Sequence, residues 1–284
     1  MRIEDGAPLC LVALTRGDAW LLPDEGNALR LRPQDVAIIR GPDHYTLADD
    51  PGTAPQVIIQ PGQKCTTPDG DEVPLLYMGV RTWGNSPEGT TVMLNGTYEA
   101  EGEVSRRLMA ALPPVLVLPG DTWESPLLSL LATEIVKDEP GQEAVLDRLL
   151  DLLLIAVLRA WFARPDAEAP AWYRAYSDPV VGLALRLIHN DPANQWTVAK
   201  LAAETRVSRA ALARRFTDLV GEPPMAFLAE WRLALAADLL LEPGATIGSV
   251  AHQVGYGSPF ALSTAFKRVR GVTPQQHKLA AATT

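Results

Sequence analysis

The side chains best equipped for chemistry are basic and stand near the end of the chain. Arg209, Arg214 and Arg215 fall in "SRAALARRF" (Ser208–Phe216), and Lys267 and Arg268 in "SPFALSTAFKR" (Ser258–Arg268). A guanidinium can donate a pair of hydrogen bonds to guanine O6 and N7, or neutralise a phosphate, as a lysine can. Catalytic or metal chemistry is thinly supplied by comparison. Of the 4 histidines only His44 lies in the front half, while His189, His252 and His277 lie far behind it. A metal centre needing about three imidazoles and a carboxylate lacks its ligands there. The 2 cysteines, Cys10 and Cys65, are too few for a disulfide framework and fit a reducing compartment. Cys65 follows Lys64, a cation able to lower a thiol pKa, so thiol-based redox sensing stands as an alternative chemistry.

What must position the basic side chains is written twice. "FTDLVGEPP" (Phe216–Pro224) and "FKRVRGVTP" (Phe266–Pro274) share Phe, Gly and Pro at the same spacing. Ahead of the first runs "TVAKLAAETRVSRAALARRF", ahead of the second "TIGSVAHQVGYGSPFALSTAF". Each predicts a short helix opened by a threonine, a tight turn, and a second helix capped by Ser208 or Ser258 and closed by Gly221 or Gly271. Gly255 suits a left-handed turn residue. Such a unit lays its first helix across the DNA backbone and its second in the major groove. The expected inward sets are Val198, Leu201, Ala202, Val207, Leu212, Phe216 and Leu219, then Ile247, Val250, Ala251, Val254, Leu262, Phe266 and Val269. Between the units, Met225, Leu228, Trp231, Leu235 and Leu239 recur at helical spacing, predicting one long helix. Two units so joined would read successive major-groove faces about 34 Å apart.

The stretch from Asp178 to His277 resembles the DNA-binding domain of the AraC/XylS family of bacterial transcription regulators, on "VSRAALARRF", "GEPPMAFL", "WRLALAADLLL" and "VAHQVGYGSPFALSTAFKRVRGVTP". The resemblance implies base contacts at Ala210, Ala213 and Arg214, the alanines offering only apolar contact. Ser208, Arg209 and Arg215 flank them, Arg215 as a phosphate clamp or surface charge. On the second recognition helix the outward set is Ser258, Pro259, Phe260, Ser263, Thr264, Lys267 and Arg268. This chain departs from the family habit at Thr264, where a basic residue is common, and at His277–Lys278, where an aromatic-basic pair is common. The second unit is therefore expected to read sequence weakly or to hold the backbone through Lys267 and Arg268.

The front of the chain has another texture. "LCLVALT", "AWLLP", "ALRLRP", "DVAIIR", "PQVIIQ", "TTVMLNGTYEA" and "PVLVLP" are short apolar or alternating runs between Gly, Pro and Asp clusters, as in a small β-sandwich or barrel. Two helices follow, in "SPLLSLLATEIVKDE" and "GQEAVLDRLLDLLLIAVLRAWFA". The second is apolar on more than one face, which suits a core helix, a dimer interface, or both. "RPDAEAPAWYRAYSDP" (Arg164–Pro179) reads as a linker. "LRLRPQDVAIIRGPDHYTLADDP" and "LPPVLVLP" resemble the cupin-type sensor half found in many regulators of this family. The resemblance implies an effector pocket, for which Trp20, His44 and Trp83 are the candidates. A related branch senses oxidants through a Cys-Gly near the end of the barrel, where this chain has Asn95–Gly96. Met1 stands so close to the first strand that an edge strand missing from the barrel, or an internal start, is an expectation.

Charge follows the same division. The net value is −9, yet residues 178–284 hold 11 Lys or Arg against 8 Asp or Glu, while residues 1–177 hold 14 against 26. A mildly basic end on an acidic body permits nucleic-acid binding. The most apolar run, "LLDLLLIAVLRAWF", is broken by Asp151 and Arg159 and is shorter than the roughly 20 residues a membrane span takes. The sequence-based expectation is an α+β chain: a cupin-like β-barrel with two following helices (1–163), a linker (164–179), and an all-α domain of two helix-turn-helix units joined by a long helix (180–284). It would be a cytoplasmic, non-enzymatic, sequence-specific regulator, a homodimer, without cofactor or metal. Its partners would be double-stranded promoter DNA, a small-molecule effector and, as a further candidate, RNA polymerase, with no membrane. The alternatives are the redox-sensing regulator, a cupin metalloenzyme, and an architectural protein without sequence preference.

Overall fold

The computed structural model describes residues 1–73, 76–79, 81–84, 86, 88–98, 102–123, 125–137, 139–164 and 169–281, without the side chains of residues 76, 77, 83, 104, 107 and 281. Among the described residues twelve strands come first, interrupted by a 3-10 turn at Pro61–Gln63 and one α-helix: β1 (Arg2–Ile3), β2 (Leu9–Arg16), β3 (Ala19–Pro23), β4 (Leu29–Leu31), β5 (Val36–Arg40), β6 (Tyr45–Ala48), β7 (Ile58–Gln60), β8 (Lys64–Thr66), β9 (Leu76–Gly79), β10 (Thr82–Gly84), β11 (Val92–Tyr98), then α1 (Glu103–Met109) and β12 (Val115–Leu118). The rest is helical: α2 (Leu127–Glu134), α3 (Gln142–Phe162), α4 (Ala171–Ala175), α5 (Val181–Asn190), α6 (Val198–Glu204), α7 (Arg209–Val220), α8 (Pro224–Leu241), α9 (Ile247–Gln253), α10 (Pro259–Arg270) and α11 (Pro274–Ala281). The chain divides into two compact units, Met1–Ala100 with Leu112–Ala167, and Glu101–Ala111 with Glu168–Thr284.

In the first unit, strand alternation sorts side chains into layers. A six-stranded sheet in the order β4-β3-β6-β1-β7-β8 and a four-stranded sheet in the order β11-β2-β5-β12 enclose one apolar core. Leu21, Leu31 and Leu47 meet Val12, Leu14 and Ile39 there. The other face of the smaller sheet presents Leu9, Leu11, Val36, Ile38, Leu116 and Leu118, all buried, toward the side where α2 and α3 pack. Gly96 on β11 lets Leu150 of α3 approach, and the Tyr98 hydroxyl donates to the Leu150 carbonyl at 2.8 Å. Leu146, Leu153, Val157 and Leu158 give α3 its buried stripe, while Val145, Leu152 and Ile155 are left exposed.

The second unit has two apolar cores, both built on α8. Leu201, Leu212, Phe216, Phe227 and Leu228 belong to one, and Leu233, Leu240, Val250, Leu262 and Phe266 to the other. The one long helix predicted from Met225, Leu228, Trp231, Leu235 and Leu239 is α8. Serving two cores, it buries several faces, with Leu228, Phe227, Leu233, Ala236, Ala237 and Leu240 fully buried and Met225, Trp231, Leu235 and Leu239 partly buried against one core or the other. Leu219 and Val269, expected inward, are exposed; the buried rows step by four, through Leu212 and Phe216 to half-buried Val220, and through Leu262 and Phe266. The stretch read as a linker contains α4, whose Ala175 is buried in the first core with Trp172 and Tyr176 against it. Five residues are too few to show a period in sequence.

Helix α1 belongs to this second unit although it lies in sequence between β11 and β12. It packs on α8, and Glu103 accepts from Arg270 at 2.6 Å while its own amide donates to Asp238. Gly102 precedes it at φ +104°, where a Cβ would meet the Asp238 carboxylate at 2.8 Å.

Candidate nucleic-acid interface

Each helix-turn-helix is punctuated by side-chain caps. The hydroxyls of Thr197, Ser208, Thr246 and Ser258 accept from the amides of Lys200, Ala211, Ser249 and Ala261, opening α6, α7, α9 and α10. Gly221 and Gly271 close α7 and α10 in the left-handed conformation, at φ +91° and +76°. In the turns, the Val207 amide donates to the Ala202 carbonyl and the Tyr256 amide to the Ala251 carbonyl. The left-handed turn residue is Arg206 in one unit and Gly255 in the other. These bonds fix the angle at which the second helix leaves the first.

The recognition helices then present their outward residues. On α7, Ser208, Arg209, Ala210, Arg214 and Arg215 are exposed and Ala213 is half-buried. Arg215 is turned to Asp178, whose carboxylate accepts from Arg215 Nη2 at 2.6 Å and from the Val180 and Val181 amides at 2.9 Å. Desolvation pushes the Asp178 carboxyl up, but the Val181, Arg215 and Val180 hydrogen bonds outweigh it and hold it below the ordinary carboxylate range. The Arg215 charge is thus engaged within the unit, whereas Arg209 and Arg214 face solvent on the same helix. On α10, Pro259, Phe260, Thr264, Lys267 and Arg268 are exposed, and Ser258 and Ser263 half-buried. Phe260, Ser263, Thr264, Lys267 and Arg268 come together with Thr273 around one open depression. Phe260 is 80% exposed. The arrangement offers an aromatic contact and two cations in one place on α10, and two cations flanking alanines on α7. Hydrogen-bond readout and apolar contact with a thymine methyl are both within its chemistry.

Of the three ligand candidates of the front unit, neither Trp20 nor His44 belongs to its apolar core. Trp20 alternates with the buried Ala19 and Leu21, so it stands on the outer face of the six-stranded sheet. His44 is exposed, with Nδ1 at 3.9 Å from Glu4. Trp83 falls in β10, and its side chain lies outside the described residues. The alternation that turns His44 out turns its neighbour Tyr45 in. Tyr45 is 2% exposed, and its hydroxyl, beside the Cys10 thiol, has no nitrogen or oxygen partner among the described residues. Period two in "HYTLA" was the signal that could have singled it out. Burial pushes both thiols up, Cys10 and Cys65 alike, which is opposite to what a reactive thiolate sensor needs.

Comparison with known proteins finds a family match in each half of the chain. Residues 1–163 match the cupin family and residues 201–279 the helix-turn-helix domain family. An AraC-like transcription regulator of Streptomyces lividans is 34% identical over 272 residues, covering 94% of this chain and 85% of that protein. Another of Streptomyces antibioticus is 32% identical with the same coverage. The HTH-type transcriptional regulator AlkR of Acinetobacter baylyi is 33% identical over 177 residues, 60% of this chain and 58% of its own.

Proposed function

From a chain that belongs to the AraC-like transcription regulators, with a cupin domain ahead of its helix-turn-helix domain, we propose a regulator whose two recognition helices engage promoter DNA under the control of a small-molecule effector. The observation that carries this is the pairing of α7 and α10 on the single helix α8, each with a solvent-facing basic surface. Arg214 donates to base edges, Ala210 and Ala213 make apolar contact, and Arg209 holds phosphate. Phe260, Ser263 and Thr264 meet the second groove while Lys267 and Arg268 hold the backbone.

The effector acts through the front unit. Tyr45 supports this reading better than Trp20 or His44, because a buried phenol without a nitrogen or oxygen partner offers a hydrogen bond to whatever small molecule reaches it. A second copy of the chain covers Val145, Leu152 and Ile155, an apolar row on α3 that the front unit itself leaves exposed. RNA polymerase is the further partner if the effector-bound form activates. The regulator acts in the cytoplasm, by binding rather than catalysis; its relatives' being transcription regulators, and the absence of any helix among the described residues long and apolar enough to cross a membrane, support this.

The test is binding of the full chain to the DNA upstream of its own and neighbouring genes, against random duplex, at about 50 and 200 mM salt. A preference that survives the higher salt is the expected result. Equal, steeply salt-dependent binding of both duplexes would leave only electrostatic attachment and overturn the specific-regulator reading.

A further inference from the structure

The two apolar cores of the helical unit share α8 but no residue. A single helix of 18 residues would otherwise be the main brace between them, and helices bend. A second connection runs beside it. The turn between α5 and α6 is tied to the first core by Trp196, which packs there while its indole donates to the Asp191 carbonyl at 2.8 Å. From the middle of α8, Arg232 reaches this turn with both arms of its fork: Nε donates to the Pro192 carbonyl at 2.7 Å and Nη2 to the Asn194 carbonyl at 2.8 Å. The same turn lies against Gly255, the left-handed residue in the turn of the second helix-turn-helix. A Cβ at Gly255 would come within 2.6 Å of the Ala193 carbonyl and 2.8 Å of Arg232 Nη2. Gln195 Nε2 reaches the Gly255 carbonyl at 3.4 Å. Val254, next in the chain, is buried in the second core. The path from core to core therefore passes through one guanidinium and one glycine.

We propose that Arg232, seated against Gly255, is the positioning residue that sets the rotation of α10 relative to α7, and so the spacing between DNA boxes that the protein accepts. This rests on the reading that both units bind DNA. Binding through two linked modules gains over one only when their geometry lets both engage at once. A brace that fixes that geometry rewards one spacing and penalises others. A lysine, with one ammonium in place of a fork, cannot hold both carbonyls in the same way.

The test uses the full-length protein and a duplex that the wild type selects from a randomised pool. Three probes are compared: that duplex, the same duplex with about five base pairs, half a helical turn, inserted between the boxes, and the duplex with one box scrambled. The wild type is expected to lose about 100-fold on insertion. Arg232→Gln and Gly255→Ala should each bind the native spacing about tenfold more weakly, bind the scrambled probe as the wild type does, and discriminate spacing by less than about threefold. Arg232→Lys should fall between. Full spacing discrimination in Arg232→Gln and Gly255→Ala would overturn the proposal. So would an equal loss on all three probes, which would mark a merely structural role. A wild type indifferent to scrambling one box would instead remove the two-unit reading on which the proposal stands.

Discussion

The two helix-turn-helix units agree in what faces inward and part in what faces out. Thr197 matches Thr246, Ser208 matches Ser258, Gly221 matches Gly271, and Phe216 and Phe266 are both fully buried. Outward, α7 shows Arg209 and Arg214 around alanines, and α10 shows Phe260 and Thr264 ahead of Lys267 and Arg268. Caps and cores are held by local physics that is indifferent to position in the chain. In the proposed function the outward faces answer to two different stretches of DNA: the repeat keeps its scaffold and changes its surface, so that one helix would read bases and the other grip the backbone.

The agreement can be broken at the phenylalanines. Phe216→Ala and Phe266→Ala should each cost about 3–5 kcal/mol, and within about 1 kcal/mol of each other, in denaturant unfolding. A large gap would mean that one core is not the equal of the other. The division of work is sharpened next. Arg214→Ala should weaken binding to a selected duplex by about 1–3 kcal/mol and leave random duplex little changed, with Thr264→Ala smaller than Arg214→Ala. Equal weakening on both duplexes, read by fluorescence anisotropy, would withdraw base readout from Arg214. Lys267→Ala should weaken all duplexes alike and lower the slope of log K against log salt by about 1. The smallest effect lies in the turns. Arg206 stands at φ +58° where the other unit has Gly255, so Arg206→Gly should stabilise the chain by about 0.5–1 kcal/mol in thermal unfolding.

Much of this scaffold was legible because it is written in residues with single meanings. Seven quoted runs became β2, β3, β4, β5, β7, β11 and β12, and the caps and closing glycines fell where serine, threonine and glycine announced them. What escaped was short or doubly used. β1 has two residues and α4 five, too few to show a period. α8 serves two cores, so no single stripe describes it, and Leu219 and Val269 were misread because the buried rows advance by four rather than three. At the interface, exposure of Arg209, Arg214 and Phe260 followed from their neighbours' burial. The engagement of Arg215 by Asp178 did not, since the two lie 37 residues apart.

Helix α1 has a consequence for how such a chain can be taken apart or recombined. The polypeptide leaves the strands of the front unit after β11, contributes α1 to the helical unit, and returns for β12. A cut near residue 168 therefore separates the sequence but not the folding units: the C-terminal fragment departs without a helix that belongs to it. Arg270, whose buried Nε has no partner among the described residues, would lose Glu103 as well. A chimera that exchanges front domains at this point would import a foreign α1, and would inherit a sound helical unit only if that segment also carried an acid for Arg270 and a glycine before it.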